Sequence, residues 1–183
     1  MIFRYTKGCH FCVLVYHRVN DQYRDSVTVK KEQFREQVFF LKKHYEVIDL
    51  DELPGLEKKK LKRPLVAITF DDGYADNYEA ARFLAENNLR AGFFISTRIV
   101  GTSNPFPHDL KRLGKAIETL TWVQVKQMSA WGHIIGSHTA HHPNLSELDD
   151  AQAINQIKMG QEDLRTKLGE SASTHLFAYP HGS

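Results

Sequence analysis

The sequence predicts an α/β fold built on a parallel sheet or barrel. Two patterns in its 183 residues lead to that expectation. Short apolar runs alternate with segments of helical periodicity, as in chains of βα units. Leu65–Phe70 is apolar and β-branched without alternation, as expected of a strand covered on both faces. In such folds sites gather at the carboxyl ends of the strands, so the residues that follow each apolar run carry the functional question.

Taken in order, residues 12–16 read as a buried strand. Residues 31–44 read as a helix with Phe34, Val38 and Leu41 on one face. Residues 45–50 are a short strand and residues 65–70 the central one. Residues 77–87 are alanine-rich and helical, 91–96 a strand, 121–130 a helix and 133–137 a strand. Ser146-Glu147-Leu148-Asp149 has the pattern of a capping box. It is expected to open a helix carrying Ile154, Ile157, Leu164 and Leu168, stopped by Gly169. Residues 175–178 form the last expected strand. Residues 101–116 hold Pro105 and Pro107 and read as one long irregular stretch, covering a site or merely connecting elements.

Composition narrows the function. Hydrophobic residues are 42% and charged residues 25%, ordinary for a soluble globular domain. A net charge of +2 gives no sign of a nucleic-acid partner. The basic run Lys58-Lys59-Lys60 with Lys62 and Arg63 reads as a solvated loop rather than an interaction patch. No apolar run reaches the ~20 residues of a transmembrane helix. Arg4, Lys7 and His10 interrupt the place of a signal-peptide core, so the chain as written is expected to stay in the cytoplasm. Gly8-Cys9 resembles a lipoprotein cleavage site but lacks the apolar stretch before it. Cys9 and Cys12 form a C-x-x-C pair without a second ligand pair or a following helix, and read as incidental thiols.

Three segments after strands carry candidate chemistry. In Thr69-Phe70-Asp71-Asp72-Gly73, adjacent carboxylates raise one another's pKa unless a cation relieves them. Successive residues leave a strand in opposite directions, so one carboxylate can bind metal while the other faces a reactant. The bland alternative is an Asp-Asp-Gly turn. In Ser137-His138-Thr139-Ala140-His141-His142-Pro143, two imidazoles at one-turn spacing can face one point, with His141 as a competing ligand. Tyr179-Pro180-His181-Gly182 is by itself an ordinary strand exit. Together the segments offer one carboxylate and two imidazoles as ligands and a spare carboxylate. Such a set leaves metal positions open for water and substrate.

At these residues the chain resembles the NodB-like polysaccharide deacetylases, carbohydrate esterase family four. Residues 69–73 and His138 to Pro143 match the family's first two motifs. Tyr179-Pro180-His181-Gly182 resembles its third, with histidine in place of tyrosine, and Val15-Tyr16-His17-Arg18-Val19 is similar to its first strand. The resemblance implies a distorted (β/α) barrel of seven strands and a metal-dependent hydrolase that removes acetyl groups, most often N-acetyl, from a glycan. It implies Asp71 as general base, Asp72, His138 and His142 as ligands of a divalent metal, zinc first among candidates, and the Tyr179 backbone N–H as oxyanion donor. Residues 1–11 are then an N-terminal extension and 12–183 the deacetylase domain, incomplete at its C-terminus. Within residues 1–183 the family's later motifs, including the histidine acid, are not found, and His181 or His17 is a candidate replacement. A weakly active chain with an unpaired last strand is expected. The alternatives are a metal- or glycan-binding fragment and a cytoplasmic deacetylase of a small acetylated sugar.

Overall fold

A computed structural model describes residues 11–53, 63–169 and 175–182. Cys9 and the run at Lys58 to Lys60 lie outside them. The architecture is α/β with a parallel sheet. β1 (Phe11–Tyr16), β5 (Leu65–Phe70), β6 (Gly92–Ile95) and β7 (Ile134–Ser137) lie side by side in that order. The short β4 (Glu46–Val47) pairs with the start of β5, on the edge where β6 pairs with its end. β2 (Arg18–Val19) and β3 (Thr28–Val29) form a separate parallel pair. Among the described residues, no helix is long and apolar enough to cross a membrane.

The central strand behaves as its composition requires: all six residues of β5 are buried. Val66, Ile68 and Phe70 join the main core with Phe34, Val38 and Leu41 of α1 (Lys31–His44). The ring of Phe70 stacks on Phe93 at 4.7 Å and on Tyr16 at 5.3 Å, and Phe34 meets Tyr16 edge-on at 5.2 Å. Such pairs contribute about 0.5–1.5 kcal/mol each beyond their area. Ala80, Ala81 and Leu84 of α2 (Asn77–Glu86) and Val125 and Met128 of α4 (Trp122–Ala130) complete that layer.

Three expectations are revised. Residues 101–116 contain a helix, α3 (Pro107–Leu113), because Pro107 occupies its first turn, where a missing N–H costs nothing. Helix α5 (Asp150–Leu168) opens one capping box later than expected. Asp149 and Gln152 exchange the capping hydrogen bonds, while Ser146 sits in a preceding 3₁₀ turn. Only Gly160 and Leu164 of α5 are buried, and Ile154 is exposed, so its apolar repeat is not a continuous core stripe. Residues 175–178 form no ladder. Phe177 makes a single parallel bridge to Ser137, with Ser137 N–H donating to Leu176 and Ala178 N–H donating to Ser137.

His133 ties two layers together from a buried position. Its Nδ1 accepts from Ala91 N–H at 3.2 Å and its Nε2–H donates to Ala81 C=O at 2.9 Å. That pairing needs the neutral ring, and burial lowers its pKa below 6.5. The unfolded chain therefore binds more protons than the folded one below about pH 6.5, and stability falls as pH drops through that range. His133→Leu should cost about 1–3 kcal/mol for each backbone group left unpaired at pH 7.5. The difference from the parent should shrink at pH 5, where the parent too has lost part of this contribution. Urea unfolding at both pH values measures it; an equal difference at the two would refute the assignment.

Candidate metal centre

The three motif segments meet at the carboxyl end of the sheet. The first leaves β5 with Asp71 N–H still on the ladder, donating to Tyr16 C=O at 2.9 Å. Asp72 then adopts φ 73° and Gly73 φ 89°. A Cβ on Gly73 would lie 2.8 Å from Val100 Cγ2 and 3.0 Å from Ile95 Cγ2, so glycine is required by space as well as by angle. The turn places the Asp72 side chain in the interior, 2% exposed, and Asp71 half-buried against the cavity.

The second segment is a loop, not a helix, so the spacing of its histidines does not act through helical periodicity. His138 N–H donates to Ile95 C=O, holding the loop to the end of β6. Thr139 (φ 66°) and His142 (φ 58°) are both left-handed, and Thr139 Oγ1 accepts from His142 N–H at 2.9 Å. The turn brings the two rings within 4.9 Å. His141 turns outward to Gln156 and takes no part. A second support was not legible in the sequence. A Cβ on Gly160 of α5 would lie 2.5 Å from Ser137 Oγ and 3.0 Å from the Thr139 backbone, so α5 can approach the loop only with glycine there.

Asp72, His138 and His142 are the group of three among the described residues that could hold a metal ion, with ligand atoms all within 4.8 Å of one another. Asp72 Oδ1 lies 3.0 Å from His142 Nε2 and 3.5 Å from His138 Nε2. It is nevertheless buried without a hydrogen-bond partner. A carboxylate oxygen in that position calls for a positive partner, a metal ion or a protonated imidazole, because an unmet buried acceptor costs about 1–3 kcal/mol and a charged one more. His138 Nδ1 lies 2.9 Å from Ala178 C=O, to which its N–H donates. That contact leaves the Nε2 lone pair of the neutral ring for the centre, the tautomer a ligating imidazole needs. The donor set thus fits a divalent metal.

Electrostatics separate the two aspartates. Burial opposes ionisation of Asp72, but the imidazoles of His138 and His142 prevail and hold its carboxyl well below the ordinary range. Burial pushes the Asp71 carboxyl up, against the opposing pull of His138 and His17. Burial and the two imidazoles thus push the two neighbouring carboxylates apart in opposite directions.

Tyr179 and His181 enter from the third segment. Tyr179 lines the cavity with its side chain largely exposed, and His181 (φ 59°) brings its ring 4.8 Å from that of His142. His17 also lines the cavity, which has a volume of about 1050 Å³. Cys12 is half-buried on β1, where burial raises its thiol pKa, consistent with an inert thiol. Sequence reasoning missed His108, whose Nε2 lies 3.9 Å from Asp72 Oδ2, because it sits in a stretch read as irregular.

Residues 58–183 match the family model described as polysaccharide deacetylase. The chitin deacetylase of Colletotrichum lindemuthianum is 33% identical over 106 residues, covering 55% of this chain and 36% of that protein. The YxkH protein of Bacillus subtilis is 27% identical over 174 residues, covering 93% of this chain and 56% of that one. The chain thus spans little more than half the length of these curated relatives, or less. Among solved structures, IcaB from Ammonifex degensii superposes with a TM-score of 0.80 at 25% identity, over 96% of this chain and 76% of that one. Since the family match takes in well over half of the sequence and all three motif segments, the chain belongs to the polysaccharide deacetylase family.

Proposed function

We propose that this chain carries a metal-dependent deacetylase centre that removes acetyl groups, N-acetyl in the first instance, from a glycan. The observation that carries the proposal is the partnerless Asp72 Oδ1 between two imidazole nitrogens, next to a second carboxylate in an open cavity. Asp72, His138 and His142 hold a divalent ion, and a carboxylate with two imidazoles and open positions suits zinc. Bound there, the ion supplies Lewis acidity to the acyl oxygen and acidity to a water molecule. Asp71 is the base that takes the proton from that water, a task its raised pKa fits. The backbone N–H of Tyr179 donates to the oxyanion that forms on the acyl group, a contribution worth about 2.7–4 kcal/mol in comparable sites. The similarity to a chitin deacetylase supports an acetylated polysaccharide as the substrate class.

Two measurements test this reading. Zinc should raise the unfolding free energy, by about 2.7 kcal/mol at a hundred times its dissociation constant. His142→Ala should abolish the rise and the bound zinc, while His141→Ala should leave both unchanged. Full zinc content in His142→Ala would remove that residue from the centre. For the chemistry, acetate release from an N-acetylglucosamine oligosaccharide is the assay. Asp71→Asn should retain zinc yet lose about 10²–10⁴ in rate. A rate within a few-fold of the parent would show that Asp71 is not the base.

A further inference from the structure

Arg18 is fully buried, which demands partners for its charge. Its Nε donates to Thr28 Oγ1 at 3.0 Å, one terminal nitrogen to the Asp25 carboxylate, and the other to Asp109 Oδ1 at 2.7 Å. Asp109 lies on α3, itself fully buried, and its second oxygen accepts from Tyr74 O–H at 2.9 Å. Tyr74 directly follows the Asp71-Asp72-Gly73 turn. A phenol has one proton, and an ion-paired carboxylate can only accept. Having donated to Asp109, the Tyr74 oxygen must accept at its other contact, His108 Nε2, 3.0 Å away. The proton of neutral His108 is therefore on Nε2. That N–H is given to the Tyr74 oxygen, and the nitrogen itself stands 3.9 Å from Asp72 Oδ2, the oxygen opposite the one that faces His138 and His142, and 3.8 Å from Asp109 Oδ1. The wall is packed as well as bonded: Phe106, fully buried, lies 5.1 Å from the His108 ring and 5.3 Å from the His142 ring.

Resting on the metal-centre reading above, we propose that His108 is a positioning residue for the metal-binding carboxylate. The chain Arg18–Asp109–Tyr74 fixes the tautomer and tilt of His108. The Nε2–H bond, donated to Tyr74, lies as a dipole beside Asp72 Oδ2, and its attraction for that oxygen keeps Oδ1 turned toward the two imidazoles. At 3.9 Å this is an electrostatic contact rather than a hydrogen bond, so it steers the carboxylate without competing with the ion for Oδ1. Carboxylates and imidazoles that bind metals depend on such outer partners, whose loss weakens affinity by about 10–100-fold.

The test measures zinc dissociation constants by chelator competition on the intact chain, together with unfolding in chelator alone. His108→Ala should weaken zinc binding by about tenfold or more, with metal-free unfolding little changed. His108→Gln, whose amide nitrogen reaches the place of Nε2, should recover binding to within a few-fold of the parent. Tyr74→Phe should fall between them, since it keeps the ring but frees the His108 tautomer. Wild-type affinity in His108→Ala would overturn the proposal, and so would a Gln variant as weak as the Ala variant, since the N–H would then be irrelevant. A parent chain that binds no zinc would instead overturn the metal centre itself.

Discussion

A carboxylate oxygen held in the interior with no donor aimed at it sets the terms for everything around it. Asp72 Oδ1 lies 3.0 and 3.5 Å from two imidazole nitrogens, yet no well-aligned hydrogen bond reaches it. Leaving a charged acceptor in this state costs several kcal/mol unless a cation answers it. The fold must therefore hold the three groups together against their own preference for water. It does so by anchoring each from behind. His138 is held through Nδ1 by Ala178 C=O, His142 through its own N–H by Thr139, and Asp72 by a turn pinned at Asp71 N–H to β1.

The anchoring carries backbone strain. Asp72, Thr139, His142 and His181 all have φ in the left-handed region, and each is a non-glycine residue in one of the three motif segments. Such positions cost of order 1–3 kcal/mol each and persist only where the surroundings over-determine them. The surroundings here do so. Gly73 lets Val100 and Ile95 close over the first turn, and Gly160 lets α5 press on the second. Thr97 and Ala140 then tie that second loop to α5 through Asp163 and the Gln156 carbonyl. Deformation is thus concentrated where convergence of side chains is needed, while the sheet below is regular.

That division explains what could be read from the sequence. β5, α1, α2 and α4 were legible because burial patterns repeat locally, and the Asp-Asp-Gly and His-x-x-x-His segments were legible because their residue types are scarce and chemically specific. What escaped depends on contacts distant in sequence. Arg18 sits 91 residues from Asp109, and neither position betrays that the other neutralises it. α3 was hidden because Pro107 reads as a breaker, although it occupies the one turn that tolerates it. His108 was hidden with it. The His138–His142 spacing pointed to two rings that the structure does bring together, but a strained loop, not a helical turn, aims them.

Charge placement gives α3 its importance. Arg18, fully buried, faces two carboxylates, Asp25 and Asp109, and Arg112 adds a second positive charge near Asp25. Beyond Tyr74 stand two more aspartates, Asp71 and Asp72, and their close positively charged neighbours within the protein are imidazoles, which carry charge only when protonated. The polar chain from Arg18 does not change this, because Tyr74 and His108 transmit orientation rather than net charge. A divalent cation bound by Asp72 would supply the charge that neutral imidazoles do not. Burial meanwhile raises the pKa of Asp71 on the cavity side, so the two neighbouring carboxylates stay electrostatically distinct.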